Sequence, residues 1–432
     1  MKRNTKHEKR LKRLVVTCLL CAIVLTVSTY AWFIGMQTVN IQAFDVKIAG
    51  VDSLQLSLDG VKFTDELIIN QDVLRVLKEG TKEGDNEEDY TFIKSYTTGN
   101  TNKWTPLEPM SSVGLMDAST SKMVLYDKGS LTASKGGYRL LSQKVDNTAD
   151  TELDGYVAFD LFIQNLSGKA YYEAITTPHN EEAIYLTYDS KAITEDAGNI
   201  ISGIENSVRV AFAQIGRVKA ESASEAIQAI SCAGGTVANA NITPICTDRA
   251  AAIWEPNDTK HVPNAIEWFA KSCKKRTNQT TWGEACDPIV DGEFYKTYAV
   301  SGEIDHTQEV DVYDGYYNGY TANTIEHDGA TQDVTDLAAA NKLVAVDTFR
   351  DSEKMLQAEN RKEIFRLAPN SVTKVRVYIY IEGQDVDNYD FASLGNQIKI
   401  NFGFTKERYR GVDIDLDNPP THEDGEDQTI YN

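Results

Sequence analysis

The feature that most constrains the fold is a strict alternation of apolar and polar residues in the last quarter of the chain. Residues 375–381 read VRVYIYI, and residues 398–404 repeat the pattern as IKINFGF. Successive side chains of a β-strand point to opposite faces of its sheet, so a period of two predicts one face on a core and the other in water. We therefore expect two long strands joined by a loop, with Arg376, Tyr378 and Tyr380 facing solvent.

Strand patterns also occur in the first half of the chain. Residues 44–48 and 54–58 alternate in the same way, residues 156–163 read YVAFDLFI, and residues 206–215 read NSVRVAFAQI. Because strong strands come from both ends of the chain, the simplest architecture is one sandwich that closes around an insertion. The sequence predicts a mainly β fold, an antiparallel jelly-roll-like β-sandwich with a mixed α/β, cysteine-containing insertion.

The middle of the chain has a different composition. Residues 221–230 and 263–275 carry helix signals, and residues 335–346 and 351–366 also permit helix. We divide the chain into a signal peptide or N-terminal membrane anchor (1–36), the first part of the sandwich (37–216), the mixed insertion (217–365), the last sandwich strands (366–410) and an acidic tail (411–432).

Four of the six cysteines lie within the predicted insertion: Cys232, Cys246, Cys273 and Cys286. An even number of cysteines outside the cytoplasm predicts two disulfides. Among the possible connectivities we expect the local bridges Cys232–Cys246 and Cys273–Cys286, because closing a short loop costs less entropy than closing a long one. A zinc site is the competing interpretation, but these four cysteines are spaced by 14, 27 and 13 residues and form no CxxC pair, so we predict no metal.

The N-terminus has the pattern of an export signal. Seven Lys or Arg fall within residues 1–13, and residues 14–27 carry no charge. A basic region before an apolar run is typical of secretory signals, and its basic flank stays in the cytoplasm. Two fates are open: cleavage between Ala31 and Trp32, or retention of residues 14–36 as an anchor, since about 20 residues span a bilayer. We expect an extracellular or cell-surface protein that contacts membrane only through residues 14–36.

The chain is strongly acidic, with a formal net charge of −21 at pH 7. Removal of the basic N-terminal segment makes the remainder more negative still. Such a surface repels nucleic acid and anionic lipid, so the charge argues against both as partners.

Sequence motifs that carry chemistry are missing. The chain contains no HExxH pair, no GxSxG elbow, no GxxxxGK[ST] loop and no GxGxxG fingerprint. Asp413, Asp415 and Asp417 alternate like the start of a calcium loop, but the required Gly and terminal Glu are missing at the loop spacing, so we interpret them as part of a solvated tail. We assign no catalytic residue and expect no cofactor.

Two aromatic segments are candidate binding loops. Residues 311–320 read DVYDGYYNGY, and exposed tyrosines on such a loop can stack on sugars or bind protein. The alternative is a β-hairpin whose tyrosines pack on their neighbours; the four residues are Tyr313, Tyr316, Tyr317 and Tyr320. Residues 252–264, with Trp254 and His261, form either a binding loop or, as we prefer, a rigid structural loop.

The start of the chain resembles the TasA- and camelysin-like exported proteins of low-GC Gram-positive bacteria. In that family an apolar signal ends near Ala-x-Phe, and a strand with spaced Phe, Gly and Leu follows. The residues that carry the resemblance are Ala31, Phe33, Phe44, Gly50, Leu54 and Leu56. Residues 367–385 also resemble the late strand of such sandwiches. The resemblance implies a jelly-roll-like sandwich that assembles into extracellular fibres or matrix. Camelysin is described as a metalloprotease, but no catalytic residue can be carried over to this chain.

These observations together predict a non-enzymatic, exported structural protein of the cell surface or extracellular matrix. Its expected partners are other copies of itself or other surface proteins, and glycans if the tyrosine loop is a binding site. One alternative is a carbohydrate-binding or adhesive module that uses the tyrosine loop. The other is a secreted hydrolase of camelysin type, which would need a pocket of converging carboxylates or histidines.

Overall fold

The computed structural model describes residues 44–50, 53–69, 109–127, 130–134, 137–146, 156–175, 181–187, 189–195, 203–277, 289–295, 297–303, 316–317, 324–327, 330–333, 342–346, 348, 362–388 and 397–406. The predicted export signal, the cleavage position Ala31–Trp32 and the acidic tail lie outside these residues.

Most of the described elements are strands, numbered here in chain order: β1 Phe44–Gly50, β2 Leu54–Ser57, β3 Glu66–Ile69, β4 Met110–Ser111, β5 Met116–Asp117, β6 Lys122–Met123, β7 Tyr126–Asp127, β8 Ser130–Ser134, β9 Gly137–Leu141, β10 Tyr156–Asn165, β11 Glu182–Leu186, β12 Lys191–Glu195, β13 Val208–Lys219, β14 Gly235–Val237, β15 Ala240–Pro244, β16 Ala252–Trp254, β17 Tyr298–Val300, β18 Tyr316–Tyr317, β19 Thr324–His327, β20 Ala330–Asp333, β21 Leu343–Ala345, β22 Phe365–Leu367, β23 Ser371–Ile381 and β24 Gln397–Thr405. The helices are α1 Ser224–Gln228 and α2 Pro263–Thr277, with a 3-10 turn at Ile204–Ser207.

The larger sheet has the strand order β14–β15–β13–β23–β10–β2, with β16 also beside β13. Its centre is β23, which is antiparallel to β10 on one side and to β13 on the other. The sequence of β23 is rich in Val, Ile and Tyr, which fit a pleated surface packed on both sides.

The smaller sheet has the order β22–β11–β24–β1–β3, with β12 also beside β24. Its pairs are antiparallel except for β1 and β24, which run parallel from Phe44 opposite Ile398 to Gly50 opposite Phe404. The predicted mainly β, antiparallel fold is therefore confirmed, while the jelly-roll connectivity stays a prediction.

One apolar core joins the two sheets. The inward residues of β23, β10 and β13 pack against those of β24, β11 and β1 in one cluster. The ring of Phe212 on β13 meets Phe402 and Phe404 on β24, with ring centres 5.3 and 5.7 Å apart. Residues 375–381 and 398–404 thus lie in the same sandwich as residues 156–163, as predicted, but on opposite sheets.

The outer face of the larger sheet is buried, and here the sequence prediction was wrong. Arg376, Tyr378 and Tyr380 are at most 4% exposed. Residues 110–125 and 226–246, which we call the cover layer, form a second apolar cluster against this face. The alternating sequence pattern predicts the strand correctly, but it cannot show that the cover layer excludes water from the polar face of the strand.

Part of the predicted insertion belongs to the larger sheet. β15 and β16 pair with β13, and β14 pairs with β15. Helix α2 confirms the helix predicted at 263–275, and α1 lies within 221–230. Helix was wrongly permitted at residues 343–345 and 365–366, which lie in strands paired with β17 and β11, because strand pairing overrides a weak local preference.

Candidate functional site

The structure joins Cys232 to Cys246 in a disulfide, as predicted, with Cα atoms 5.7 Å apart. Both residues are buried in the cover layer, on either side of the β14–β15 hairpin. Cys273 lies on α2, while Cys286 is outside the described residues, so the second bridge stays a prediction.

The tyrosine segment is only partly described. Tyr316 and Tyr317 form β18, which pairs with β19 in a three-stranded antiparallel sheet with β20. Tyr313 and Tyr320 lie outside the described residues, so the structure does not bring the four tyrosines together. The paired backbone favours the hairpin interpretation of this segment.

Most of the loop at residues 252–264 is buried, with 253–259 and His261 enclosed, which favours the structural interpretation. Trp254 is fully buried, and its ring meets Phe402 in the core. The Asn257 side-chain amide donates hydrogen bonds to the backbone oxygens of Ala192 and Glu205 at 3.1 and 3.2 Å. These contacts leave little of the loop for an outside ligand.

His261 of this loop contacts two other segments of the chain, at Glu293 and at Asp387. Its Nδ1 lies 2.8 Å from Asp387 Oδ2, and its Nε2 lies 3.1 Å from the backbone oxygen of Glu293. The backbone oxygen of Glu293 accepts a hydrogen bond, and Asp387, whose pKa burial raises to about 6, accepts one when it is ionised. With Asp387 ionised, the ring fits its site with both nitrogens protonated. Burial alone would lower the pKa of His261, but the hydrogen bond and charge of Asp387 raise it.

The buried side chain of Arg209 pairs with two neighbouring carboxylates. Arg209 contacts Glu255 at 2.6 Å and Asp385 at 2.5 Å, and Glu255 also accepts hydrogen bonds from Thr297 and Thr348. Burial would lower the pKa of Arg209, but these carboxylates raise it. One guanidinium is thus paired with two carboxylates, while Arg209 Nε is buried without a hydrogen-bond partner among the described residues.

The enclosed cavity beside these residues is small. It has a volume of about 10 Å³ and is lined by polar side chains that include Asn206, Asp258 and Gln384. That volume suits a water molecule and excludes a substrate. No group of three or more His, Cys, Asp or Glu among the described residues is arranged to hold a metal ion.

A larger groove, of about 500 Å³, lies beside β16. Its floor is apolar, formed by Val113, residues 251–253 and residues 344–346. The charged residues of its lining are Lys362 and Glu363, and Glu363 pairs with Arg366 at 2.6 Å. Such a groove can bind an apolar segment. The hydroxyl groups of its described lining are engaged in hydrogen bonds, Ser301 to the backbone oxygen of Lys342 and Thr348 to Glu255.

The edges of the sheets differ in how well they are protected. The edge of β2 is closed by paired hydrogen bonds between Leu56 and Thr64, and β12 is capped by the Asn257 side chain. No strand in the described part of the chain pairs with the outer side of β3. On β3 the side chain of Ile68 is 55% exposed. An open edge of this kind is a template for another strand.

Comparison of the chain with protein-family models, curated proteins and solved structures finds no match. The resemblance to TasA- and camelysin-like proteins therefore stays a prediction. Among the described residues no helix is long and apolar enough to cross a membrane.

Proposed function

We propose that the chain is an exported, non-enzymatic structural protein of the cell surface or extracellular matrix that assembles with copies of itself. The observation that carries the proposal is the contrast between buried, paired polar clusters and the edge of β3, on whose outer side no described strand lies. Enzymes present titratable groups to a pocket of substrate size, whereas the clusters around Arg209 and His261 are buried and mutually paired.

The basic and apolar N-terminal pattern supports export, and the acidic surface suits a soluble extracellular region. N-terminal sequencing of the exported protein separates the two fates of the signal. A mature chain that starts at Trp32 indicates cleavage, and an intact N-terminus indicates an anchor.

The test of assembly uses the full chain, produced in a secreting bacterial host. Size exclusion with light scattering and electron microscopy should show oligomers that grow with protein concentration. Ile68→Lys places a charge on the open edge and should shift the protein toward monomer, because edge charges block strand addition. Val290→Lys is the matched control, since Val290 is 53% exposed away from β3. A persistent monomer across pH and salt would contradict the proposal.

A further inference from the structure

Three polar side chains from distant parts of the sequence meet at one end of the sandwich. Asn165 ends β10 in the larger sheet, Glu182 begins β11 in the smaller sheet, and Lys406 follows β24. Asn165 and Glu182 are at most 3% exposed, and the Lys406 side chain is 9% exposed. A Lys, a Glu and an Asn are thus enclosed together where the two sheets meet.

One carboxylate oxygen touches both nitrogens of this group. Glu182 Oε2 lies 3.0 Å from Lys406 Nζ and 3.0 Å from Asn165 Nδ2. Lys406 Nζ also donates to the backbone oxygen of Leu166, the residue next to Asn165, at 3.1 Å. Lys406 Nζ and Asn165 Nδ2 therefore bind the same carboxylate oxygen, which keeps the amine within two hydrogen-bond lengths of the amide nitrogen.

The amide of Asn165 is fixed in orientation. Its Nδ2 donates to Glu182 and, at 2.9 Å, to the backbone oxygen of Ala368. Its Oδ1 is buried and has no hydrogen-bond partner among the described residues. A buried amide oxygen without a partner costs about 1–3 kcal/mol, so this side chain is not held here by complete hydrogen bonding.

We propose that Lys406 and Asn165 form an intramolecular isopeptide bond, with Glu182 as the catalytic acid–base group and ammonia as the leaving group. This is a self-modification site, distinct from the assembly edge at β3, and it does not depend on the proposed function.

The proton transfers follow from the positions of the atoms. Glu182 Oε2 accepts a proton from the Lys406 ammonium group, and the neutral Nζ attacks Cγ of Asn165. The carboxyl group then gives that proton to Nδ2 as the Cγ–Nδ2 bond breaks. The new amide nitrogen releases its remaining extra proton to the departing ammonia. One ammonium ion and one amide bond result, and no oxidant or reductant takes part.

The resting state of Glu182 suits this role. Burial would raise its pKa, but hydrogen bonds from Asn165, Ser167 and Lys406 lower it. Glu182 therefore rests as a carboxylate, the form that can accept a proton, while the same hydrogen bonds make it a weaker base than a free glutamate, so the reaction depends on proximity. Holding the amine, the amide and the base in one enclosed site supplies the proximity on which such a reaction depends.

A second buried lysine provides an internal comparison. Lys374 lies 3.1 Å from Asp160, but Arg376 also pairs with that carboxylate, at 2.7 Å. Burial would raise the pKa of Asp160, but the charges of Arg376 and Lys374 lower it to about 2. An ionised carboxylate is a poor electrophile, so we expect no bond between Lys374 and Asp160.

The test is mass spectrometry of the folded full chain after reduction of disulfides. The wild-type protein should be lighter than its sequence by one ammonia, and protease digestion should yield a branched peptide that contains Asn165 and Lys406. Peptides that carry Asp160 and Lys374 should be recovered unbranched. If the branched peptide is absent after prolonged incubation of folded wild-type protein, the proposal is wrong.

Two variants test the roles of the residues. Lys406→Arg keeps a cation but removes the amine, and Glu182→Gln keeps the shape but removes the base. Both should lose the branched peptide while circular dichroism and the Cys232–Cys246 disulfide show that they fold. Full linkage in Glu182→Gln would overturn the role of Glu182. A linked monomer would contradict only the proposed assembly, and an unlinked oligomer would contradict only this bond.

Discussion

The two sheets share one core but differ in what lies on their outer faces. The cover layer buries the outer face of the larger sheet, so Lys374 and Arg376 on β23 are enclosed. On the smaller sheet, Ile68 of β3 and Ile193 of β12 remain 55% and 40% exposed. The larger sheet thus places charges inside the protein, and the smaller sheet leaves apolar side chains outside. Strands with the same alternating pattern can therefore bury their polar side chains in one sheet and expose apolar side chains in the other.

Burial of the polar face works because its charges are paired. Asp160 on β10 faces Arg376 and Lys374 on β23, so one carboxylate serves two cations. Arg376 also donates to the backbone oxygen of Ser121 in the cover layer, at 2.8 Å. A buried pair of this kind adds little net stability when intact, but removal of one partner is costly.

The largest effect is expected at Arg376, which lies on the buried outer face of the larger sheet. Arg376→Ala should lower the free energy of unfolding by about 3–5 kcal/mol, because it leaves Asp160 buried with an incomplete partner set. Urea denaturation measures the loss. The outward Lys191→Ala on β12 is the control, and an exposed change of this kind stays within about 0.5 kcal/mol. Equal effects at the two positions would refute the contrast between the sheets.

Removal of the disulfide should weaken the cover layer. Replacement of both Cys232 and Cys246 by Ser opens a loop of 14 residues, and the chain-entropy account gives a loss of about 3 kcal/mol. Hydrogen exchange should show the change in β14 and β15 first, with β1 and β24 protected as before. Uniform loss of protection would indicate that the cover layer and the sandwich unfold together.

Tyr378 connects the larger sheet to the cover layer by one hydrogen bond. Its hydroxyl oxygen accepts from the backbone N–H of Met123 at 2.9 Å. Tyr378→Phe removes this buried hydrogen bond and should cost about 0.5–1.5 kcal/mol in thermal or urea unfolding. A neutral result would mean that water reaches this face of β23.

The His261 contact should make stability depend on pH. The pKa of His261 is raised in the folded protein, so its contribution is complete below the ordinary histidine pKa and is lost as pH rises through the folded value. Glu382, whose pKa burial raises to about 8, acts in the same direction. The contribution of His261 is the difference in the free energy of unfolding between the wild type and His261→Gln. This difference should shrink as pH rises. A difference that grows with pH would contradict the assignment.

The smallest effect is expected on the outer face of the smaller sheet. Ile193→Thr keeps a β-branched side chain at an exposed position of β12, so unfolding should change by no more than about 0.5 kcal/mol. A large loss would show that this face is covered in the folded protein.

The sequence predicted what depends on local pattern. The strands at 375–381 and 398–404, helix α2 and the Cys232–Cys246 bridge follow from periodicity, capping residues and spacing. The cover layer did not, because Lys374 and Arg376 look the same in sequence whether water or a third layer faces them. Asn165, Glu182 and Lys406 were also missed, since no motif links residues that meet only through the sheet order.

The parallel pairing of β1 with β24 determines how the sandwich would carry a mechanical load. Residues before Phe44 enter at one end of this pair, and residues after Thr405 leave at the other end. Tension applied through these two flanking segments would pull the strands past each other lengthwise. All the hydrogen bonds between them would then be strained at the same time, instead of breaking one after another as in a zipper. We therefore expect the β1–β24 pair to resist tension that is applied at Phe44 and Thr405.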